Sequence, residues 1–68
     1  MHMLESRIEE LILKSGYKKS FVAEKLEITV KQLRNYETGR NYMRIDKAYI
    51  LADLLGVGVE ELYERKPN

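Results

Sequence analysis

The sequence predicts a small all-α domain. Apolar residues recur at steps of three and four in each segment, no stretch alternates apolar with polar residues, and Gly16, Gly39 and Gly56 stand where the apolar runs stop. Leu4, Ile8, Leu11 and Ile12 give a first, packing helix over residues 4–15, closed by Gly16. Val22, Ala23 and Leu26 share one face of a second helix over 19–25, and small Ala23 marks where another helix can approach closely. Thr29, followed three places later by Gln32, reads as a capping box: the hydroxyl accepts the Gln32 amide and the Gln32 side chain reaches back. It opens a third helix over 30–38, with Leu33 and Tyr36 on its inner face, and Gly39 supplies a left-handed stop. The basic loop GRNYMR leads to a fourth helix over 45–55, on which Ile45, Ala48, Leu51, Ala52 and Leu55 line one face. Val59, Leu62 and Tyr63 then give a short fifth helix before Pro67. Residues 4–64 form one domain and 65–68 a tail, without repeats or low-complexity tracts.

At 68 residues the chain is near the lower size limit of a core without disulfides, so no linked effector domain is expected. The absence of cysteine removes disulfides, thiol chemistry and thiolate metal sites, and fits a reducing cytoplasm. No apolar run approaches the roughly 20 residues needed to span a membrane. The opening Met1-His2-Met3 is too short and polar for a signal peptide, and reads as an added leader with Met3 the natural start; His2 is given no role. There is no Gly-rich phosphate loop, and the acidic pairs Glu9-Glu10 and Glu60-Glu61 lack a matching histidine or ligand spacing. No catalytic residue, metal site or cofactor is expected.

The net charge of +1 conceals a segregation. Residues 14–47 carry nine basic side chains (Lys14, Lys18, Lys19, Lys25, Lys31, Arg34, Arg40, Arg44, Lys47) against four acidic ones (Glu24, Glu27, Glu37, Asp46), while each flank has two more acidic than basic groups. A basic centre between acidic ends is the footprint of a domain presenting one face to phosphates, although charges mixed at random over a solvated surface give the same totals.

The second and third helices, with the turn between them, make KSFVAEKLEITVKQLRNYET a helix-turn-helix, which points to DNA. VAEKL followed by Ile28-Thr29, the YE-x-G of Tyr36, Glu37 and Gly39, and I-x-x-A-x-x-LA-x-LLGV from Ile45 to Val57 stand in order at fixed spacing. In these motifs the chain resembles the Xre-type helix-turn-helix regulators related to the lambda repressor and Cro, over Ser6 to about Tyr63. The resemblance implies a five-helix, lambda-repressor-like fold and a double-stranded DNA partner.

In such motifs the start of the second helix meets base edges in the major groove. Thr29, Val30, Lys31, Gln32, Arg34 and Asn35 occupy that stretch. Lys31 can donate to guanine O6 and N7, Asn35 can pair with adenine N6 and N7, and Val30 can touch a thymine methyl, each good pair giving about 1–3 kcal/mol of discrimination. The resemblance places Lys18 and Lys19, at the start of the second helix, on phosphates. Two lysines at the positive end of a helix dipole cost about 0.3–1 kcal/mol unless an anion relieves them. Thr38, Arg40 and Asn41 fall in the loop that contacts the same backbone in the family; Arg44 and Lys47 either extend that row or stay solvated. Tyr36 belongs to the core with its hydroxyl at the rim, and Tyr42 either donates to a phosphate or faces solvent.

The chain departs from the family at three places. Glu27 replaces the usual left-handed glycine in the turn, at a cost of about 1–2 kcal/mol. The loop lacks a proline near Met43. Glu37 matches a position that often pairs with a basic residue on the first helix, yet the facing site reads as Ile12, leaving Arg7 or solvent as its partner.

One recognition helix reads few base pairs, so the resemblance implies a two-fold homodimer on a palindrome, with half-sites about 34–36 Å apart. Val57, Val59, Leu62 and Tyr63 are the expected dimer surface, with Tyr49 a further candidate. The expected function is sequence-specific DNA binding by a small transcriptional regulator, a repressor that occludes a promoter. Two other readings are an antitoxin or anti-regulator whose main contact is a protein, marked by a large exposed apolar patch, and a nonspecific architectural DNA binder.

Overall fold

A computed structural model describes residues 3–66; Met1-His2, read from the sequence as part of an added leader, and the end of the expected tail, Pro67-Asn68, lie outside the described residues. Four α-helices carry the fold: α1 (Ile8–Ser15), α2 (Lys19–Leu26), α3 (Val30–Glu37) and α4 (Ile45–Leu55). A 3-10 turn, Val59–Glu61, and two short strands, β1 (Met3–Ser6) and β2 (Tyr63–Lys66), complete it.

Among the described residues the expected five helices are therefore four: β1 takes the place of the first turn expected of α1, and a 3-10 turn and β2 take the place of the fifth helix. β1 and β2 pair antiparallel in the register Met3 with Lys66, Leu4 with Arg65, Glu5 with Glu64 and Ser6 with Tyr63. The Arg7 amide donates to the Leu62 carbonyl at 2.9 Å at the end of the ladder. Leu4 sits at helical spacing from Ile8, yet its backbone belongs to a strand, and α1 begins only after Ser6 Oγ accepts the Ile8 amide at 3.3 Å. The C-terminal segment was too short to hold a helix of its own, because a first helical turn fixes several residues for a single hydrogen bond. It forms one 3-10 turn, in which Glu61 Oε2 accepts the Gly58 amide at 2.8 Å, and then enters the sheet. Arg65 and Lys66, expected in the tail, are strand residues. Across the ladder Glu5 and Glu64 face each other, and the Lys66 ammonium offsets their repulsion at 3.3 Å and 3.8 Å.

The core is a single cluster. Ile8 and Ile12 of α1, Val22, Ala23 and Leu26 of α2, Leu33 and Tyr36 of α3, and Ala48, Leu51 and Ala52 of α4 are buried together with Met43 and Leu62. Ala23 does lie inside, as a point of close helix approach requires. Ile45 does not join this face: it is 66% exposed, and Arg44 and Asp46 beside it are exposed too, so the first turn of α4 stands clear of the core.

The loop between α3 and α4 has no proline, but it is tied down. Tyr63 Oη accepts the Met43 amide at 3.0 Å, the Tyr42 ring meets that of Tyr63 edge-on with centroids 5.6 Å apart, and the Tyr42 hydroxyl donates to the Leu4 carbonyl at 3.3 Å. The small sheet thus anchors the loop that follows the third helix.

Candidate nucleic-acid interface

The turn between α2 and α3 is set by Glu27, at φ 58° and ψ 44°, the one non-glycine residue with positive φ among the described residues. Its amide donates to the Glu24 carbonyl at 3.0 Å, and the Ile28 amide to that of Ala23 at 3.0 Å, closing α2. Lys47 Nζ donates to the Leu26 carbonyl at 2.7 Å, which places that ammonium against α2 rather than in the phosphate row. Thr29 then caps α3, its Oγ1 accepting the Gln32 amide at 3.0 Å. The other half of the expected capping box is not made: Gln32 Nε2 donates to Tyr36 Oη at 3.1 Å instead, one turn along the helix. The partner one turn on keeps the Gln32 side chain along the axis of α3 and fixes the rim of the buried Tyr36 ring.

At the other end of α3, Thr38 Oγ1 donates to the Asn35 carbonyl at 3.3 Å and the Asn41 amide to the same carbonyl at 3.2 Å, with Gly39 at φ 81° between them. Thr38 and Asn41 thereby shape the loop on which Arg40 is carried. Val30, Lys31, Gln32 and Arg34 are exposed on α3, with Asn35 half-buried behind them. An open groove runs along this face, lined by Lys19, Val30, Lys31, Arg34 and Glu37.

Lys18 and Lys19 have different surroundings. Lys18 is exposed at the N-cap of α2 and makes no side-chain cap bond. The Lys19 ammonium lies 3.2 Å from Glu37 Oε1 and 3.2 Å from Glu9 Oε2. The hydrogen bond to Glu37, then that to Glu9, holds the Lys19 pKa above the ordinary lysine value. The anions that relieve a cation at this helix start are therefore internal ones. Glu37, assigned by sequence to Arg7 or to solvent, has its side chain only 3% exposed and takes Lys19 as its partner. Arg7 pairs with Glu10 at 2.9 Å, an exposed contact that raises the Arg7 pKa and lowers that of Glu10. Nothing local in the sequence links positions 19 and 37; the buried glutamate of the YE-x-G motif was a signal for a basic partner, but not for where it would come from.

The ion pairs sort the basic residues. Arg7, Lys14, Lys19, Arg44 and Lys66 have carboxylate partners, Lys25 lies 5.4 Å from the centroid of the Phe21 ring, and Lys47 is bonded to Leu26. Among the described residues, Lys18, Lys31, Arg34, Arg40 and Arg65 are left with neither a carboxylate nor a contact of these other kinds. Four of these five belong to the start of α2, to α3 and to the loop after it.

A capped second helix, set by a left-handed turn against a first and presenting unpaired cations, defines a DNA-binding domain of helix-turn-helix class. The helix-turn-helix family profile matches residues 8–62, and the chain belongs to that family, in the Xre type related to the lambda repressor and Cro. Comparison with curated proteins gives no match. Among the described residues no helix is long and apolar enough to cross a membrane, and no three His, Cys, Asp or Glu side chains are grouped to hold a metal ion.

Proposed function

We propose that the chain is a sequence-specific regulator of transcription, a repressor, that lays α3 in the major groove of double-stranded DNA. The observation that supports this reading is that, among the described residues, the cations left unpaired cluster in the helix-turn-helix: Lys31 and Arg34 on α3, Lys18 at the start of α2 and Arg40 in the loop after α3. Lys31 and Arg34 on α3 read bases, with Val30 and Asn35 beside them, while Lys18 and Arg40 meet phosphates on either side and Thr29, Thr38 and Asn41 hold the backbone that positions them. A bound α3 covers guanine N7, which lies in the major groove. Methylation at N7 should therefore interfere with binding; binding indifferent to N7 methylation would place the contact elsewhere.

The surface for a second copy moves from the C-terminal segment to α4. Leu62 is fully buried, Val57 and Val59 pack against the core, and the Tyr63 hydroxyl holds Met43, so that segment serves the monomer's own fold. On α4, Ile45, Tyr49 and Ile50 are 66%, 55% and 44% exposed. Sedimentation on a palindromic duplex tests this: Tyr49→Lys should bind as a monomer where the parent chain binds as a dimer. A parent chain that binds such a duplex only as a monomer removes the proposed dimer.

A protein partner is the second reading. Leu13, Tyr17 and Phe21 are 70%, 41% and 37% exposed, with the Tyr17 and Phe21 rings 5.1 Å apart, on a surface that neither α3 nor the exposed face of α4 supplies.

A further inference from the structure

We propose that Lys19 is a positioning residue of the DNA-reading surface: held between Glu9 of α1 and Glu37 of α3, its ammonium fixes how the recognition helix sits on the domain. The proposal rests on the DNA-binding reading above and changes the role of one residue within it.

Three observations support it. Lys19 is the first residue of α2, and its two 3.2 Å contacts reach the helices on either side, so one side chain spans all three elements that set the tilt of α3. The Glu37 carboxylate that it neutralises sits at the end of α3 and is almost wholly buried, with Oε2 lacking any hydrogen-bond partner. An uncompensated carboxylate there would be costly, because taking away the partner of a buried charge leaves that charge unpaired in the interior. Lys19 and Glu37 also line the same groove as Val30, Lys31 and Arg34. The Lys19–Glu37 pair therefore borders the same surface as the side chains proposed to read bases. A phosphate approaching Lys19 would have to compete with two carboxylates already in place, whereas Lys18 next to it has none.

Binding to a selected duplex over a range of salt concentrations separates positioning from phosphate contact. A lysine that neutralises one phosphate contributes roughly 0.9 to the slope of log affinity against log salt. Lys19→Met should weaken binding about tenfold, the low end of what one misread base pair costs, with the slope unchanged. Lys19→Arg, which keeps the cation, should bind as the parent does. The double variant Lys19→Met with Glu37→Gln, which removes the stranded charge, should regain most of the affinity. The same cycle followed by thermal unfolding, without DNA, should show the two residues coupled. A slope lowered by about 0.9 in Lys19→Met, with no recovery in the double variant, would overturn the assignment and make Lys19 a phosphate contact. If Lys19→Met does not fold, Glu37→Gln and the double variant decide: affinity in the double variant far below that of Glu37→Gln, with a lowered slope, overturns it equally. Failure of the parent chain to bind any duplex is the distinct result that removes the DNA reading, and this role with it, whatever the unfolding cycle shows.

Discussion

Replacing Glu27 with glycine should make the protein more stable. Glu27 is held at φ 58° and ψ 44°, where a side chain with a Cβ costs roughly 1–2 kcal/mol. Glycine removes that cost and returns about 0.4–1 kcal/mol of it through the freer unfolded chain. The Glu27 carboxylate also stands at the negative end of α2, an unfavourable placement of roughly 0.3 kcal/mol that the substitution relieves. The side chain is exposed and makes no hydrogen bond or ion pair among the described residues, so no contact is lost. The net gain is about 1 kcal/mol, and for a domain of this size that raises Tm by about 5 °C. Reversible melting followed by far-ultraviolet circular dichroism measures it. Glu27→Ala is the control, since it deletes the charge but keeps the left-handed strain, and it should recover only a small part of the gain. A glycine variant that melts at or below the parent temperature would refute the reasoning, because the strain would then not reside at this turn.

Other substitutions probe the anchored loop and the helix junction. Tyr63→Phe removes the acceptor of the Met43 amide and should cost about 1 kcal/mol, with faster hydrogen exchange at that amide. Burial raises the Tyr63 pKa above the ordinary phenol value. The neutral ring is thus favoured by folding, and its contribution is complete below the ordinary phenol range and lost as pH rises through the raised value. The alkaline limb of the stability profile should therefore be shallower in Tyr63→Phe than in the parent chain; an identical limb would contradict the assignment. Lys47→Met takes the donor from the Leu26 carbonyl and should cost about 0.5–1.5 kcal/mol while leaving the salt dependence of DNA binding unchanged. A fall in that salt slope would instead make Lys47 a phosphate contact.

Local signals made the motif legible. Thr29 capped α3, Glu27 took the left-handed conformation that its place in the turn required, Gly16 and Gly56 ended α1 and α4, and Val22, Ala23, Leu26, Leu33 and Tyr36 faced inward, because each depends on neighbours a few residues away. The chain ends were not legible. A four-residue strand shows only two side chains on each face, too few for a period of two, and the pairing of Met3–Ser6 with Tyr63–Lys66 joins segments at opposite ends of the sequence. Leu4 at helical spacing from Ile8 pointed the wrong way for the same reason. The sorting of cations also escaped the sequence: that Lys47 turns to Leu26, Lys19 to Glu37 and Lys31 and Arg34 to solvent depends on which helices meet, which no residue spacing reveals. Tyr42 and Tyr63, candidates for phosphate and dimer contacts, are bonded to Leu4 and Met43 by the same long-range placement.

Selection of a random duplex library on the purified chain tests sequence-specific DNA binding most directly. At about 0.15 M salt, surface charges farther apart than roughly 8 Å are largely screened, so enrichment reports close contacts. The parent chain should enrich one sequence as a palindrome, and Lys31→Ala should lose the preference at a single position in each half-site while keeping the others. A folded parent chain that enriches no sequence, or a Lys31→Ala variant that selects the same palindrome unchanged, would contradict base reading by this face of α3.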